Sequence, residues 1–96
     1  MTIEEAEELI SSDKGSINFQ ASPNPTNSTI KFSIDAKEFD DITIVITDLQ
    51  GRVIKTLKAD NSVMFYQFLN VNHGVYLAHL LKGGQLDSTI KLIYVD

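Results

Sequence analysis

Apolar and polar residues alternate through most of this chain, and this alternation restricts what it can fold into. Ile30, Phe32 and Ile34, for example, fall on one side of an extended segment, and the residues between them are polar. A period of two is the signature of a strand with one buried face. Seven segments fit strands, at residues 16–21, 28–35, 41–47, 52–58, 63–69, 74–82 and 88–95.

Short polar connections separate these segments. The Asp-Leu-Gln-Gly sequence at residues 48–51 suits a type I turn closed by a glycine, which predicts a positive φ at Gly51. Residues 59–62 and 82–85 have the composition of hairpin turns, and residues 70–74 form a longer bend. Seven short strands with turns at this spacing favour an all-β sandwich.

Length and charge limit the classes of partner. Ninety-six residues make one domain. Eight basic and thirteen acidic residues give a net charge of −5, and a chain with no basic cluster repels a phosphate backbone, which argues against nucleic acid. No apolar run approaches the roughly 20 residues of a membrane-spanning helix, so no stable membrane insertion is expected. The absence of cysteine excludes disulfides and thiolate metal sites.

The first fifteen residues differ from the rest. They are rich in glutamate, and Thr2 and Glu5 have the spacing of a capping box. Residues 1–15 are therefore interpreted as an acidic N-terminal linker or short helix, and residues 16–96 as the β-sandwich domain. This start lacks the basic and apolar regions of a signal peptide, so an exported protein would contain the chain as a fragment.

Two prolines flank an asparagine between the first two predicted strands. Pro23 and Pro25 fix φ and have no N–H group, so neither can donate to a central strand pair. The segment is predicted to be a stiff crossover at a sheet edge. Asparagine side chains bond their own backbone in turns, and this is the interpretation of Asn24. Folding alone would explain such a motif.

Catalytic and metal-binding constellations are not found in the sequence. The two histidines are His73, in the predicted bend, and His79, on the polar side of a strand, and both are interpreted as surface residues. Asp40, Asp41 and Asp48 could in principle hold calcium, but they fit no EF-hand spacing and occupy ordinary loop and turn positions, which is the favoured interpretation. The sequence therefore predicts no catalytic residue, no metal and no cofactor, and it disfavours a small enzyme.

Aromatic residues bear on a second class of function, a sugar-binding module. The chain has no tryptophan. Tyr66 and Tyr94 are the candidates for exposed rings. Tyr76 is interpreted as a corner tyrosine whose hydroxyl ties down a connection of the sandwich. The aromatic positions assigned to the core are Phe32, Phe65, Phe68 and Tyr76.

Four short motifs in this order carry a resemblance to a known family. A proline-asparagine-proline start is followed by an Ile-x-Asp-x-x-Gly hairpin that starts at Ile46, a Gly-x-Tyr strand and a lysine-bearing apolar strand. Over residues 19–96 the chain resembles the C-terminal sorting domain (type A) of the type IX, or Por, secretion system of Bacteroidetes bacteria. The motif residues, interpreted as mainly structural, are Pro23, Asn24, Pro25, Asp48, Gly51, Gly74 and Tyr76.

This resemblance implies a seven-stranded immunoglobulin-like sandwich that acts as a noncatalytic secretion signal. The implied partners are the outer-membrane translocation and shuttle proteins, a surface sortase that cleaves and attaches the cargo, and a cargo domain fused N-terminally. The implied location is the periplasm in transit, then the outer-membrane surface or the extracellular space. The chain ends in Asp96, where many members end in a basic or neutral residue. Recognition is expected near the chain end, at Lys91, Leu92, Ile93, Tyr94 and Val95.

A physical hypothesis connects the fold to such recognition. The last strand is expected to lie at a sheet edge with unpaired N–H and C=O groups, where a partner strand can pair with it. The hypothesis adds the neighbouring Lys82-Gly83-Gly84 hairpin to the recognised surface. The alternative function is a carbohydrate-binding or adhesive β-sandwich module of a secreted protein.

Overall fold

The computed structural model describes residues 17–96, which form an all-β domain without a helix. The linker or short helix predicted for residues 1–15 lies outside the described residues. All seven predicted strands are present. Their bounds are β1 Asn18–Ser22, β2 Thr29–Asp35, β3 Ile42–Asp48, β4 Val53–Lys58, β5 Val63–Gln67, β6 Gly74–Lys82 and β7 Gln85–Tyr94.

The strands form two antiparallel sheets. One sheet has the order β1-β2-β5 and the other the order β4-β3-β6-β7, so β7 is an edge strand. β7 begins three residues earlier than the sequence predicts. Gly83 and Gly84 have φ values of 60° and 79°, which make a two-residue hairpin, and β6 and β7 pair as far as Lys82 and Gln85.

The core lies between the two sheets and is built from the alternating apolar positions of both. Ile30, Phe32 and Ile34 of β2 face inward, as their spacing predicts, and each is at most 1% exposed. The buried apolar residues are Phe19, Ile30, Phe32, Ile34, Ile42, Ile44, Ile46, Ala59, Phe68, Tyr76, Ala78, Leu80 and Leu92. The alternation with a period of two residues therefore identifies the inward-facing side chains correctly in most strands.

β5 is the exception to this agreement. Phe65 was assigned to the core, but its side chain is 63% exposed on the outer face. Met64 and Tyr66 point inward instead and pack against the core. Both faces of this strand are apolar or aromatic, so the alternation cannot identify the buried one.

The proline-containing crossover between β1 and β2 lies against the end of β7. Residues 23–28 leave the three-stranded sheet and reach the free edge of the other one, where Thr26 forms an isolated parallel bridge with Tyr94 of β7. The Ser22–Pro23 and Asn24–Pro25 peptide bonds are both cis. The predicted position of the crossover, at a sheet edge, is confirmed.

Candidate functional site

The five residues predicted for recognition lie at the end of β7 and point alternately in two directions. Leu92 is completely buried in the core, and Tyr94 is half-buried. Lys91 and Val95 are exposed on the opposite side of the strand, and Ile93 between them is half-buried. Leu92 and Tyr94 therefore contribute to folding, which leaves Lys91, Ile93 and Val95 as the side chains that a partner can contact on the folded domain.

An aromatic cluster holds the end of β7 in place. The ring of Tyr94 stacks on Phe68 with a centroid distance of 4.5 Å, and His73 packs edge-on against Tyr94 at 4.6 Å. Phe68 also contacts Tyr66 at 5.0 Å and Tyr76 at 5.3 Å. Tyr66 and Tyr94, the two candidates for exposed rings, are thus packed against the core. Burial, with the nearby Tyr76 and Tyr94, raises the pKa of Tyr66.

Asn24 of the crossover binds the backbone of β7 and not its own. Its side-chain Nδ2 donates to the carbonyl oxygen of Lys91 at 2.7 Å, and its Oδ1 accepts from the N–H of Ile93 at 2.9 Å. The prediction of a local asparagine turn is therefore wrong. Nothing in the local sequence identifies a partner 67 residues away, because the contact depends on how the two sheets close.

Thr26 continues this pairing along β7 with its own backbone. Its N–H donates to the carbonyl of Ile93 at 2.9 Å, and its carbonyl accepts from the N–H of Val95 at 2.9 Å. Its hydroxyl donates to the Thr29 carbonyl at 2.6 Å and accepts from the Ser28 N–H at 3.2 Å. Thr26 is only 3% exposed. Sequence reasoning missed this residue because a threonine in a polar loop carries no distinguishing signal.

The edge of β7 is consequently occupied at its C-terminal end. The outward-pointing groups that bond to the crossover are the carbonyl of Lys91, both backbone groups of Ile93 and the N–H of Val95. The expectation of an edge strand is confirmed. The expectation that its backbone groups are unpaired is wrong for residues 91–95.

The Lys82-Gly83-Gly84 hairpin lies at the opposite end of β7 from these residues. It precedes β7, whereas Lys91 to Val95 lie at the other end of that strand. At about 3.3 Å per residue, Lys82 and Lys91 are separated by roughly 20 Å along the strand, because Lys82 is level with Gln85. At the hairpin, Lys82 Nζ donates to the Asp40 carbonyl at 2.7 Å, and the Gly83 N–H donates to the Asp41 carbonyl at 2.9 Å.

Asp48 organises the turn between β3 and β4. Its Oδ1 accepts from the N–H groups of Gln50 and Arg52, both at 2.9 Å, and its Oδ2 accepts from Arg52 Nε at 2.6 Å. Gly51 has a φ of 89°, as predicted. Burial raises the pKa of Asp48, but the bonds from the Arg52 backbone, the Arg52 guanidinium and Gln50 outweigh that effect and leave the pKa below its usual value.

Tyr76 fastens the bend that precedes β6. Its hydroxyl donates to the carbonyl oxygen of Asn72 at 2.5 Å, and the residue is 6% exposed. This is the arrangement expected of a corner tyrosine. Burial, with the negative charge of Asp48, raises the pKa of Tyr76.

The four motifs, which are far apart in the chain, meet at one end of the domain. Asp48 lies opposite Tyr76 in the β3–β6 pair. Asn24 binds the backbone of β7, and the His73 ring packs on Tyr94. Asp48 and Tyr76 make local bonds that shape connections, whereas Asn24 makes a bond between distant parts of the chain. Asn24, Asp48 and Tyr76, three of the residues predicted to be mainly structural, thus make hydrogen bonds that hold this end together.

His79 lies on the outer face of the four-stranded sheet. Its ring nitrogens bond to Thr47 Oγ1 at 3.0 Å and to Thr89 Oγ1 at 3.1 Å, so the side chain links β3, β6 and β7. Within residues 17–96 no three side chains of histidine, cysteine, aspartate or glutamate gather as metal ligands. The same residues include no helix long and apolar enough to cross a membrane.

Comparison with known proteins supplies the family. The model of the secretion system C-terminal sorting domain matches residues 20–95, most of the chain. The chain belongs to this family. No curated protein matches it. The sorting domains of type IX secretion are noncatalytic signals for export to the outer-membrane surface or beyond, which agrees with the resemblance carried by the four motifs.

Proposed function

We propose that residues 16–96 direct an N-terminally attached cargo protein across the bacterial outer membrane by binding the type IX translocation and shuttle proteins. The observation that carries this proposal is the family match over residues 20–95. The domain acts by protein–protein recognition and catalyses no reaction. The described residues form a hydrophobic core between two sheets, which supports a role as a folded recognition domain.

The recognised side chains in this proposal are Lys91, Ile93 and Val95. They lie on one side of β7 and are exposed or half-buried, so a partner can contact them without unfolding the core. Lys91 offers a positive charge to a carboxylate, and Val95, at 40% exposure, offers apolar surface. Leu92 and Tyr94 support recognition indirectly because they fix the strand on the core.

An export assay tests this proposal. A signal peptide and a fluorescent cargo are fused ahead of residues 16–96 and expressed in a bacterium that has the type IX machinery. In the test variant, Lys91→Ala is combined with Val95→Ser. The control combines Lys55→Ala with Val53→Ser on β4, which is the other edge strand of the same sheet and carries exposed side chains of the same kinds.

The parent and the β4 variant are expected at the cell surface, and the β7 variant in the periplasm. Circular dichroism of the purified domains checks that all three are folded. Surface display of the β7 variant at the parent level would contradict recognition at Lys91 and Val95. Periplasmic retention of a folded parent would contradict the sorting function itself.

We also propose that a surface sortase removes the domain after export and attaches the cargo to the cell surface. The support for this step is the family membership alone. Mass spectrometry of the exported cargo gives the test, because cleavage leaves a cargo chain without residues 17–96. Export of the intact fusion as the sole surface product would contradict cleavage.

A further inference from the structure

The crossover lies on the edge of β7 as a short parallel strand. In a parallel pair, one residue of a strand donates its N–H to one residue of the neighbour and accepts from the residue two positions further on. The Thr26 backbone does this with Ile93 and Val95. The Asn24 side-chain amide does the same one step earlier, with Lys91 and Ile93. Asn24 thus places a side-chain amide where a strand would place a peptide group.

The flanking prolines explain why a side chain, and not the backbone, makes these hydrogen bonds to β7. Pro23 and Pro25 have no N–H, so the backbone on either side of Asn24 cannot donate to β7. Pro23, Asn24 and Pro25 are also exposed, so this part of the crossover buries little surface. Residues 23–25 are therefore held on β7 mainly by the two hydrogen bonds of Asn24, which a partner strand can replace, whereas Thr26 is buried and is the firmer end of the segment.

We infer that the edge of β7 from Lys91 to Val95 is a strand-docking site whose resting occupant is the Pro23–Thr26 crossover. The partner is a protein that inserts an extended strand parallel to β7, in the place that the crossover leaves. This inference rests on the proposed function, since the partner is a component of the export machinery. The resident segment itself shows which ligand geometry the edge accepts.

The hydrogen bonds explain why an exchange is feasible. A regular strand restores the same donors and acceptors on Lys91, Ile93 and Val95, so the exchange is close to neutral in hydrogen bonds. The partner adds apolar contacts to the side chains of Ile93 and Val95, which the crossover leaves partly exposed. Those contacts make binding of the partner strand more favourable than binding of the crossover. They also make recognition depend on the side chains of alternate residues of β7.

A disulfide that locks the crossover on β7 tests the exchange. Thr26 is paired with Tyr94, and the residues that follow them, Asn27 and Val95, are both exposed. A disulfide needs Cα atoms about 4.4–6.8 Å apart, so an intramolecular bond between positions 27 and 95 holds the crossover beside β7. The chain has no other cysteine, so with a cysteine-free cargo a disulfide in the monomeric Asn27→Cys, Val95→Cys variant joins positions 27 and 95.

The export assay is then repeated with this double variant and with each single-cysteine variant as its control. The single-cysteine variants give the level of export that each substitution allows without a disulfide. We expect export of the oxidised double variant to fall below that of both single variants, with the disulfide verified by mass. Surface display of the double variant at the level of the single variants, with its disulfide intact, would overturn the exchange and leave the sorting function standing. Retention of the folded parent in the periplasm would contradict the sorting function itself.

A second variant answers the question without a disulfide. Asn24→Ala removes two of the bonds that hold the crossover, and Thr47→Val removes one bond, to His79, away from that edge. We expect Asn24→Ala to be exported at least as well as the parent, and better than Thr47→Val. Export below that of Thr47→Val would mean that the partner reads the crossover in place, which contradicts the exchange. A concentration-dependent dimer of Asn24→Ala would assign the edge to a second copy of the chain and overturn the inference of a machinery strand.

Discussion

Asn24 shows at the scale of one residue how a short motif acquires a structural role. Both ends of its side-chain amide are used, one as donor and one as acceptor, on two residues of β7. Aspartate has no donor for the Lys91 carbonyl, and glutamine has one methylene more between amide and backbone. The motif therefore requires asparagine for a reason that the neighbouring prolines create.

Substitution of Asn24 is expected to destabilise the domain measurably. Asn24→Ala loses two hydrogen bonds at an exposed site, and we expect a decrease of about 1 kcal/mol in the free energy of unfolding. Asn24→Asp is expected to lose more, because its carboxylate faces the carbonyl oxygen of Lys91. Urea unfolding gives both values. Asn27→Ala, three positions on and without a side-chain bond in the described part of the chain, should remain at the parent value; equal losses at both positions would refute the role of Asn24.

Asp48 makes part of the stability depend on pH. Its pKa in the folded state is lowered, so its contribution is complete above the usual value of 3.8 and is lost as the pH falls through the folded-state pKa. We expect Asp48→Asn to be less stable than the parent at neutral pH, with a difference that shrinks below pH 3.8. Urea unfolding over this range is the measurement. Asn24→Ala changes no ionisable group and is the control, because its difference in unfolding free energy from the parent should not depend on pH. If the difference for Asp48→Asn were equally independent of pH, that result would contradict the role of the Asp48 charge.

At the scale of the element, β7 combines two tasks on its two faces. The inward residues complete the core, and the outward ones contact solvent and the crossover. Sequence reasoning predicted this strand, with a start three residues too late, but treated five consecutive residues as one recognition segment. Because side chains alternate along a strand, these five residues divide between the two faces of β7. Which of them point outward is known only once the inner face is known.

Neighbouring substitutions on β7 are expected to separate these tasks. Leu92 is fully buried, and Leu92→Ala should cost about 2–5 kcal/mol of unfolding free energy. Lys91→Ala changes an exposed side chain whose backbone carbonyl still bonds to Asn24, so its effect should stay within about 0.5 kcal/mol. Denaturant midpoints of the two variants provide the comparison. Similar losses for both would show that the strand does not divide its residues in this way.

The limits of prediction from sequence are also clearest at this scale. Strands with one polar face, such as β2, could be placed and oriented because only one of their faces can be buried. β5 could be placed but not oriented, because Phe65 and Tyr66 compete for the core on opposite faces. The turn at Gly51 was predictable because it depends on local backbone geometry alone. The bonds of Asn24 and Thr26 depend on the closure of the two sheets, which no local pattern encodes.

At the scale of the whole molecule, the crossover and the chain end form one structural unit. The beginning of the domain supplies Asn24 and Thr26, and its end supplies the strand that they cover. The end of β7 in turn fills the core through Leu92 and stacks on Phe68 through Tyr94. A change at either end of the sequence therefore affects the same region of the folded domain.

Deletion of Lys91 to Asp96 is for this reason expected to unfold the domain and not merely to remove a signal. The deletion removes Leu92, the Tyr94 ring and the β6–β7 pairing from Gly74 to Leu77. Loss of a buried leucine alone costs about 2–5 kcal/mol, and domains of this size are stable by only about 5–15 kcal/mol. Circular dichroism and the dispersion of amide proton signals should both show an unfolded chain.

Deletion of Asp96 alone is the matched control, because this residue is exposed and lies beyond the last bond to the crossover, at Val95. It should leave the domain folded. A deletion of residues 91–96 that keeps native signal dispersion would contradict the structural role of the chain end. If the longer deletion unfolds the domain as expected, a loss of export in that variant says nothing about recognition, because an unfolded domain presents no β7 edge at all. Point substitutions at Lys91 and Val95 then remain the way to separate the signal from the fold.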